Sequence, residues 1–219
     1  MNSVAARWLA IVVGTVIVAL AIGLYVNKLV RAPTPVSAQQ AGPAQAQLTL
    51  GTTPAVGKLG GQPTWVSYLV REGGQWKHTT TFDVPAHSLV HITILNFDGE
   101  SGLRNPFLSQ VQGTVGGTMQ LDGKTVKNIS PDAASHTFTV PELGIVIPIK
   151  GVADDAPNQC EEMPCSLSQA HETVTFTMRT GKHGWIRWQC FVPCAAGFFT
   201  GFGGPMQTIG YMDGFLHVV

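Results

Sequence analysis

Charge is what this chain has least of. Asp, Glu, Lys and Arg make up 12% of its 219 residues, thirteen basic against thirteen acidic, where a soluble domain usually carries about 25%. With neither a basic excess nor a basic stripe, a nucleic-acid binder is excluded. With 44% hydrophobic residues and no net charge, so is a charge-driven disordered chain. Catalytic signatures are missing as well. His171-Glu172 opens like a zinc-protease motif, but Thr175 stands where the second histidine is needed. There is no G-x-S-x-G elbow, and the glycine-rich stretch 197–204 lacks the Lys-Ser/Thr of a phosphate loop. The acidic pairs Asp154-Asp155 and Glu161-Glu162 read as solvated loop, because buried carboxylate pairs are rare. No segment after the N-terminal region has an amphipathic helical period longer than two turns.

What is present begins with an apolar run. Residues 8–26 hold no charge and are rich in Val, Ile, Ala and Leu. As a helix they would extend roughly 28 Å, about the hydrocarbon thickness of a bilayer. Residues 1–31 are therefore expected to anchor the chain in membrane lipid. The rival is a cleaved signal peptide, whose apolar core is usually about 7–15 residues long with a small-residue site close behind it. Val36-Ser37-Ala38 has suitable residues but lies well past the run. Arg7 on one side and Lys28 and Arg31 on the other leave the positive-inside rule undecided. Four cysteines confined to the C-terminal third are compatible with oxidation outside the cytoplasm. Residues 32–47, mostly Ala, Pro and Gln with no charge, read as an extended tether.

From residue 48 to the end the pattern is β. Thr173-Val174-Thr175-Phe176-Thr177-Met178 alternates strictly, so one face is buried and the other solvated. Leu89, His91, Ile92, Ile94 and Leu95 belong to a strand that ends at Asn96-Phe97-Asp98-Gly99, a turn signal, and residues 215–219 form a last strand. With 25 Gly and 14 Pro as punctuation, short strands of this kind predict an all-β sandwich or barrel. Residues 99–131 look like an insertion between strands, in which Asp122-Gly123 would close a small hairpin.

Two blocks carry chemistry. One is His136-Thr137-Phe138-Thr139-Val140-Pro141. The other is Gly184-Trp185-Ile186-Arg187-Trp188-Gln189-Cys190-Phe191-Val192-Pro193-Cys194. Together they resemble the cupredoxin family, in particular the copper domain of cytochrome c oxidase subunit II. That family has an H-x-F-x-V-P strand followed by a late C-x3-C-x3-H-x2-M loop. The domain is expected over residues 48–219 behind one transmembrane helix, where subunit II usually has two. The resemblance covers roughly residues 82–219 and implies a Greek-key β-sandwich with copper as cofactor. It implies His136 as the imidazole ligand and Cys190 and Cys194 as thiolates. Soft thiolates and imidazole suit copper in both oxidation states. The pattern then departs from the family: Phe198 stands at the histidine position and Gly201 at the methionine position. Met206 is the candidate for a displaced thioether ligand, Met212 a weaker one. His217, in the terminal strand, is poorly placed to supply a second imidazole, so a dinuclear centre is not expected.

Other readings of the same residues stay open. Cys160 and Cys165, bracketing a polar loop, are expected to form a disulfide. Cys190 and Cys194 would bind metal, form a second disulfide, or join the first pair in a four-cysteine zinc site. His87 and His91 are expected to serve packing or the surface. Trp185 and Trp188 are expected to pack. The leading function is membrane-anchored, extracytoplasmic copper binding with electron transfer to a redox protein or respiratory complex. The alternatives are a metal-free interaction module with two disulfides, and copper delivery. Residues 188–212 carry no charge at all, which fits a docking face.

Overall fold

The computed structural model describes residues 3–30, 34–60, 64–194 and 204–219. It divides into two units, residues 1–33 and 34–219. The first is one helix, α1 (Ser3–Val30). Its segment Val4–Asn27 is long and apolar enough to cross a membrane, a property that signal sequences share.

The second unit is built from short strands. In chain order they are β1 (Val36–Ser37), β2 (Gln39–Gly42), β3 (Gln45–Thr53), β4 (Ser67–Glu72), β5 (Gln75–Lys77), β6 (Thr81–Val84) and β7 (Leu89–Asn96). There follow β8 (Met119–Leu121), β9 (Lys124–Val126), β10 (Ala134–Val140), β11 (Ile145–Lys150), β12 (Glu172–Arg179), β13 (Gly184–Gln189) and β14 (Asp213–Val218). They form two sheets. One runs β1-β6-β14-β13-β10-β11; the other runs β5-β4-β3-β7-β12-β8-β9, with β2 beside β3. The inner faces of both sheets meet in one core, where Leu50, Val90, Ile92, Val174 and Phe176 from the second sheet pack with Phe82, Phe138, Ile147, Trp188 and Leu216 from the first. The architecture is a two-layer β-sandwich behind a single N-terminal apolar helix.

The expected alternation in β12 is present: Val174, Phe176 and Met178 are buried, and the intervening threonines are half-exposed. A full eight-residue register with β7 fixes it, because a slip of one residue would turn the apolar face to water. A second apolar cluster lies outside this core. It contains Val56, Leu69, Leu95, Phe97, Met163, Tyr211 and the bonded pair Cys160–Cys165. The disulfide expected in that loop is therefore formed.

Two expectations are corrected and one is extended. Part of the supposed tether is sheet: β1 runs parallel to β6, and β2 pairs antiparallel with the start of β3. Backbone groups alone make such edge pairs, as when the Ala38 N–H donates to the Asp83 carbonyl at 2.8 Å, so no apolar pattern announces them. The 99–131 insertion carries the expected hairpin and adds to a sheet. Its hairpin, turned at Asp122-Gly123 with φ of 47° and 77°, contributes β8 to the sheet beside β12. Finally, Trp188 packs as expected, but Trp185 is 52% exposed and lies on the ring of His217, with centroids 4.0 Å apart. The two tryptophans are three residues apart in a strand, so they point to opposite faces.

Candidate metal centre

The site is set by β10 and β13. Thr139 pairs with Gln189 across these strands, which places the residues preceding Thr139 beside those following Gln189. The Phe191 N–H donates to Thr137 Oγ1 at 2.8 Å, and the Cys190 N–H donates to the Met212 carbonyl at 2.9 Å. Cys190 is thereby pinned between β10 and the chain entering β14. A β-bulge between Ala134 and His136 lies immediately ahead of the histidine, a device that re-aims a side chain. His136 shares its inward face with Phe138 and Val140, and it is 1% exposed.

Three ligand atoms converge there. His136, Cys190 and Cys194 each offer one atom, and all three lie within 4.8 Å of one another. Cys190 Sγ is 3.9 Å from His136 Nδ1 and 3.2 Å from Cys194 Sγ. Bonds from a first-row ion to sulfur and imidazole nitrogen are about 2.3 and 2.0 Å, so two ligands of one ion stand up to roughly 4.3–4.6 Å apart. Both separations fall inside that reach. The ring is also oriented from behind: His136 Nε2 and Asp98 Oδ2 are 2.9 Å apart. A carboxylate on the far nitrogen is the usual support for a ligating imidazole. The donor set and its support fit a soft metal ion, with three protein ligands among the described residues.

The electrostatics of the group are internally consistent. Burial pulls the His136 pKa down, but the hydrogen bond to Asp98 and the sulfur of Cys190 outweigh it and bring it to about 9. Burial pushes Asp98 up, yet the same hydrogen bond and the imidazolium charge hold it below the usual carboxylate range. Burial likewise opposes ionisation of Cys190. Hydrogen bonds from Cys194 and His136, with a further one from the Thr137 N–H at 3.4 Å, nonetheless place it well below an ordinary thiol. Cys194, hydrogen-bonded to that sulfur, is pushed far up. These directions favour an imidazolium–thiolate pair with Cys194 as the thiol donor.

Asp98 was not expected at the site; in the sequence it is only the acid of an Asp-Gly turn. Asn96 positions it. The Asn96 Nδ2 group donates to the Asp98 and Lys150 carbonyls at 3.0 and 2.7 Å, and Asn96 Oδ1 accepts the Asp98 N–H at 3.1 Å. The four-cysteine zinc option is excluded, because Cys160 and Cys165 are bonded to each other while Cys190 and Cys194 are separate thiols. Met206 lies in a short 3-10 turn, Pro205–Gln207, and its carbonyl accepts from Gln189 Nε2 at 2.5 Å. That bond ties the turn to the residue before Cys190. Phe198 and Gly201, which replace expected ligands, lie outside the described residues, as does all of 195–203. His217 faces away from the group and pairs with Asp83 at 2.9 Å.

No family model matches the chain, and no curated protein matches it. Among solved structures it is similar to the copper protein rusticyanin, at 14% identity over 83% of this chain and 86% of that one, with a TM-score of 0.35. A rusticyanin from Thiobacillus ferrooxidans gives 16% identity, the same two coverages and a TM-score of 0.32. A chain of a heme-copper terminal oxidase dimer gives 10% identity over 98% and 99%, with a TM-score of 0.29. At these scores the likenesses carry no ligand set across, and the candidate centre stands on its own geometry. The class defined here is a two-layer β-sandwich with a buried imidazole–thiol group.

Proposed function

We propose that the protein is a membrane-anchored, extracytoplasmic copper-binding domain that carries single electrons. The observation that carries this reading is the convergence of His136 Nδ1 with the sulfurs of Cys190 and Cys194, the far ring nitrogen being already committed to Asp98. His136, Cys190 and Cys194 would hold the ion, with Met206 as the candidate thioether. Copper so bound supplies one-electron cycling between its two common oxidation states. The chain supplies the rest. Two hydrogen-bonded strands fix His136 and Cys190, and Asp98 fixes the ring. The stack of Phe82, Trp188 and Phe138 behind them limits movement when the charge changes. Burial of His136 and Cys190 excludes water, while the half-buried Cys194 marks the side nearest the surface.

The Cys160–Cys165 disulfide supports an oxidising compartment, and α1 supports attachment to lipid. The protein's partner would be a redox protein or respiratory complex. Anaerobic titration with copper(II) should saturate at one ion per chain and give a thiolate-to-copper charge-transfer band, absent in Cys190→Ser. A colourless protein without copper stoichiometry overturns the proposal. The 3.2 Å between the free sulfurs favours one second reading, a metal-free interaction module closed by a Cys190–Cys194 disulfide. Alkylation of the unfolded, unreduced chain separates them: two reactive thiols support copper binding, and none supports the module. Copper delivery would instead show as rapid exchange of the bound ion with a soluble chelator.

A further inference from the structure

The hairpin of β4 and β5 closes one side of the second sheet, where β5 is the edge strand. Its turn, Gly73-Gly74 with φ of 58° and 81°, is the two-residue kind whose flanking pair, Glu72 and Gln75, exchanges both backbone hydrogen bonds. The next pair, Arg71 and Trp76, is then the open kind, so the Trp76 N–H and C=O point away from β4 to the free edge. Beside that edge lies a groove of about 520 Å³, with apolar surface from Leu59, Trp76, Pro164 and Leu167. Its walls are held in place. The Trp76 ring meets Phe97 edge-on at 6.1 Å and lies over Gly51, where a Cβ would stand 2.7 Å from it. Pro164 belongs to the loop closed by Cys160–Cys165, and Leu167 follows it directly. One charge borders this apolar surface, the guanidinium of Arg71. It lies 5.9 Å from the centre of the Trp76 ring, and its Nε donates to the Gly74 carbonyl at 3.4 Å. Among the described residues no carboxylate pairs with it, since the neighbouring Glu72 pairs with Lys77.

We propose that this edge and groove bind an extended, acidic segment of a partner protein. The segment adds to the sheet about 4.8 Å beyond β5, through the Trp76 N–H and C=O. Its carboxylate side chain pairs with Arg71, and an apolar side chain two residues along, on the same face, rests against Leu59 and Leu167. Strand addition draws affinity from main-chain bonds that any sequence offers, and side-chain sites beside the edge make the selection. Arg71 makes that selection acidic. A guanidinium fork matches a carboxylate, and one already held by Trp76 and Gly74 loses little freedom on pairing. The three-residue length of β5, with Lys77 at its end, guards the edge against indiscriminate pairing. A second copy of this chain is disfavoured, because it would bring its own Arg71 and Lys77, cation against cation. The proposal needs no metal and is independent of the copper-binding reading.

The test uses the full-length protein in detergent and fluorescence anisotropy of a short fluorescein-labelled peptide, Glu-Thr-Leu set within alternating Val and Thr. Binding should saturate. Replacing the peptide's Glu with Gln, or making Arg71→Gln in the protein, should each weaken it about tenfold, the usual scale for one charged hydrogen bond. Both changes together should weaken it no further than either alone, the signature of a direct pair. Leu167→Asp, at a position 44% exposed, puts a like charge in the groove and should weaken the Glu peptide more than the Gln peptide. It also serves as the second variant where Arg71→Gln lowers the melting temperature. No saturable binding up to about 1 mM overturns the proposal. So does an Arg71→Gln effect equal for the two peptides, or a Leu167→Asp variant that binds both as wild type does. A concentration-dependent dimer in light scattering that Arg71→Gln disrupts would give the edge to a second copy, and that too overturns it.

Discussion

Copper binding at neutral pH should displace two protons, and the count should fall toward one as the pH rises through the His136 value of about 9. The number follows from the resting state of the three ligands. Burial lowers His136, but Asp98 and Cys190 raise it to about 9, so Nδ1 carries a proton at neutral pH. Cys194, raised chiefly by its hydrogen bond to Cys190, carries the second. Cys190 carries none, since its hydrogen-bond donors outweigh the effect of burial. A metal requires all three atoms proton-free. Two protons therefore leave per ion, and by linkage the apparent affinity rises about 100-fold for each pH unit. Above about 9, where His136 loses its proton, the dependence should weaken toward one proton. The measurement is an anaerobic copper(I) titration against a competing chelator across this range, paired with proton release in weak buffer. An ordinary imidazole beside two ordinary thiols behaves differently. It would release more than two protons below pH 6.5, where the imidazole is protonated along with both thiols. A count that climbs toward three on acidification refutes the imidazolium–thiolate assignment.

Replacing Asp98 with Asn keeps the shape and removes the carboxylate at 2.9 Å from His136 Nε2. Copper affinity should fall about 10- to 100-fold, and an unchanged chelator competition would deny Asp98 its orienting role. Trp188→Ala deletes a fully buried ring stacked on Phe138 at 4.9 Å, and with it the Nε1 hydrogen bond to the Thr80 carbonyl at 3.0 Å. Urea unfolding of the metal-free protein should register a loss of about 3–5 kcal/mol, and a loss below 1 kcal/mol (roughly, by the usual surface range) would contradict this packing. Gly214→Ala would put a Cβ 1.9 Å from the Thr80 carbonyl oxygen, forcing β14 and β6 apart. Soluble yield and melting temperature should both drop sharply, whereas Gly42→Ala, with nothing within 4 Å, should change stability by less than about 0.5 kcal/mol. Equal behaviour of the two glycine variants would show that the approach of β6 to β14 is looser than described.

The parts of this molecule that were legible in the sequence are those governed by local pattern. The period of two in residues 173–178 gave β12 its buried face, and Asp122-Gly123 gave the hairpin turn that its positive φ angles require. The apolar run gave α1. His136, Cys190 and Cys194 were legible as candidates because their residue types bind soft metals and their blocks resemble a known pattern.

Proximity was not legible, because it depends on which strands pair. His136 meets Asp98 across 38 residues and Cys190 across 54. Neither separation leaves a trace in a chain with no charge pattern. The same limit applies to β1 and β2, whose backbone pairing needs no distinctive side chains. Sequence therefore determined the kind of fold and the donor atoms available to it. Only the tertiary structure decided that two of the four sulfurs are bonded to each other while the other two stand beside an imidazole with a carboxylate behind it. The physical reason is that burial turns ordinary side chains into coupled ones. An imidazole, a thiol and a carboxylate that would titrate independently in water share protons once strand pairing encloses them together.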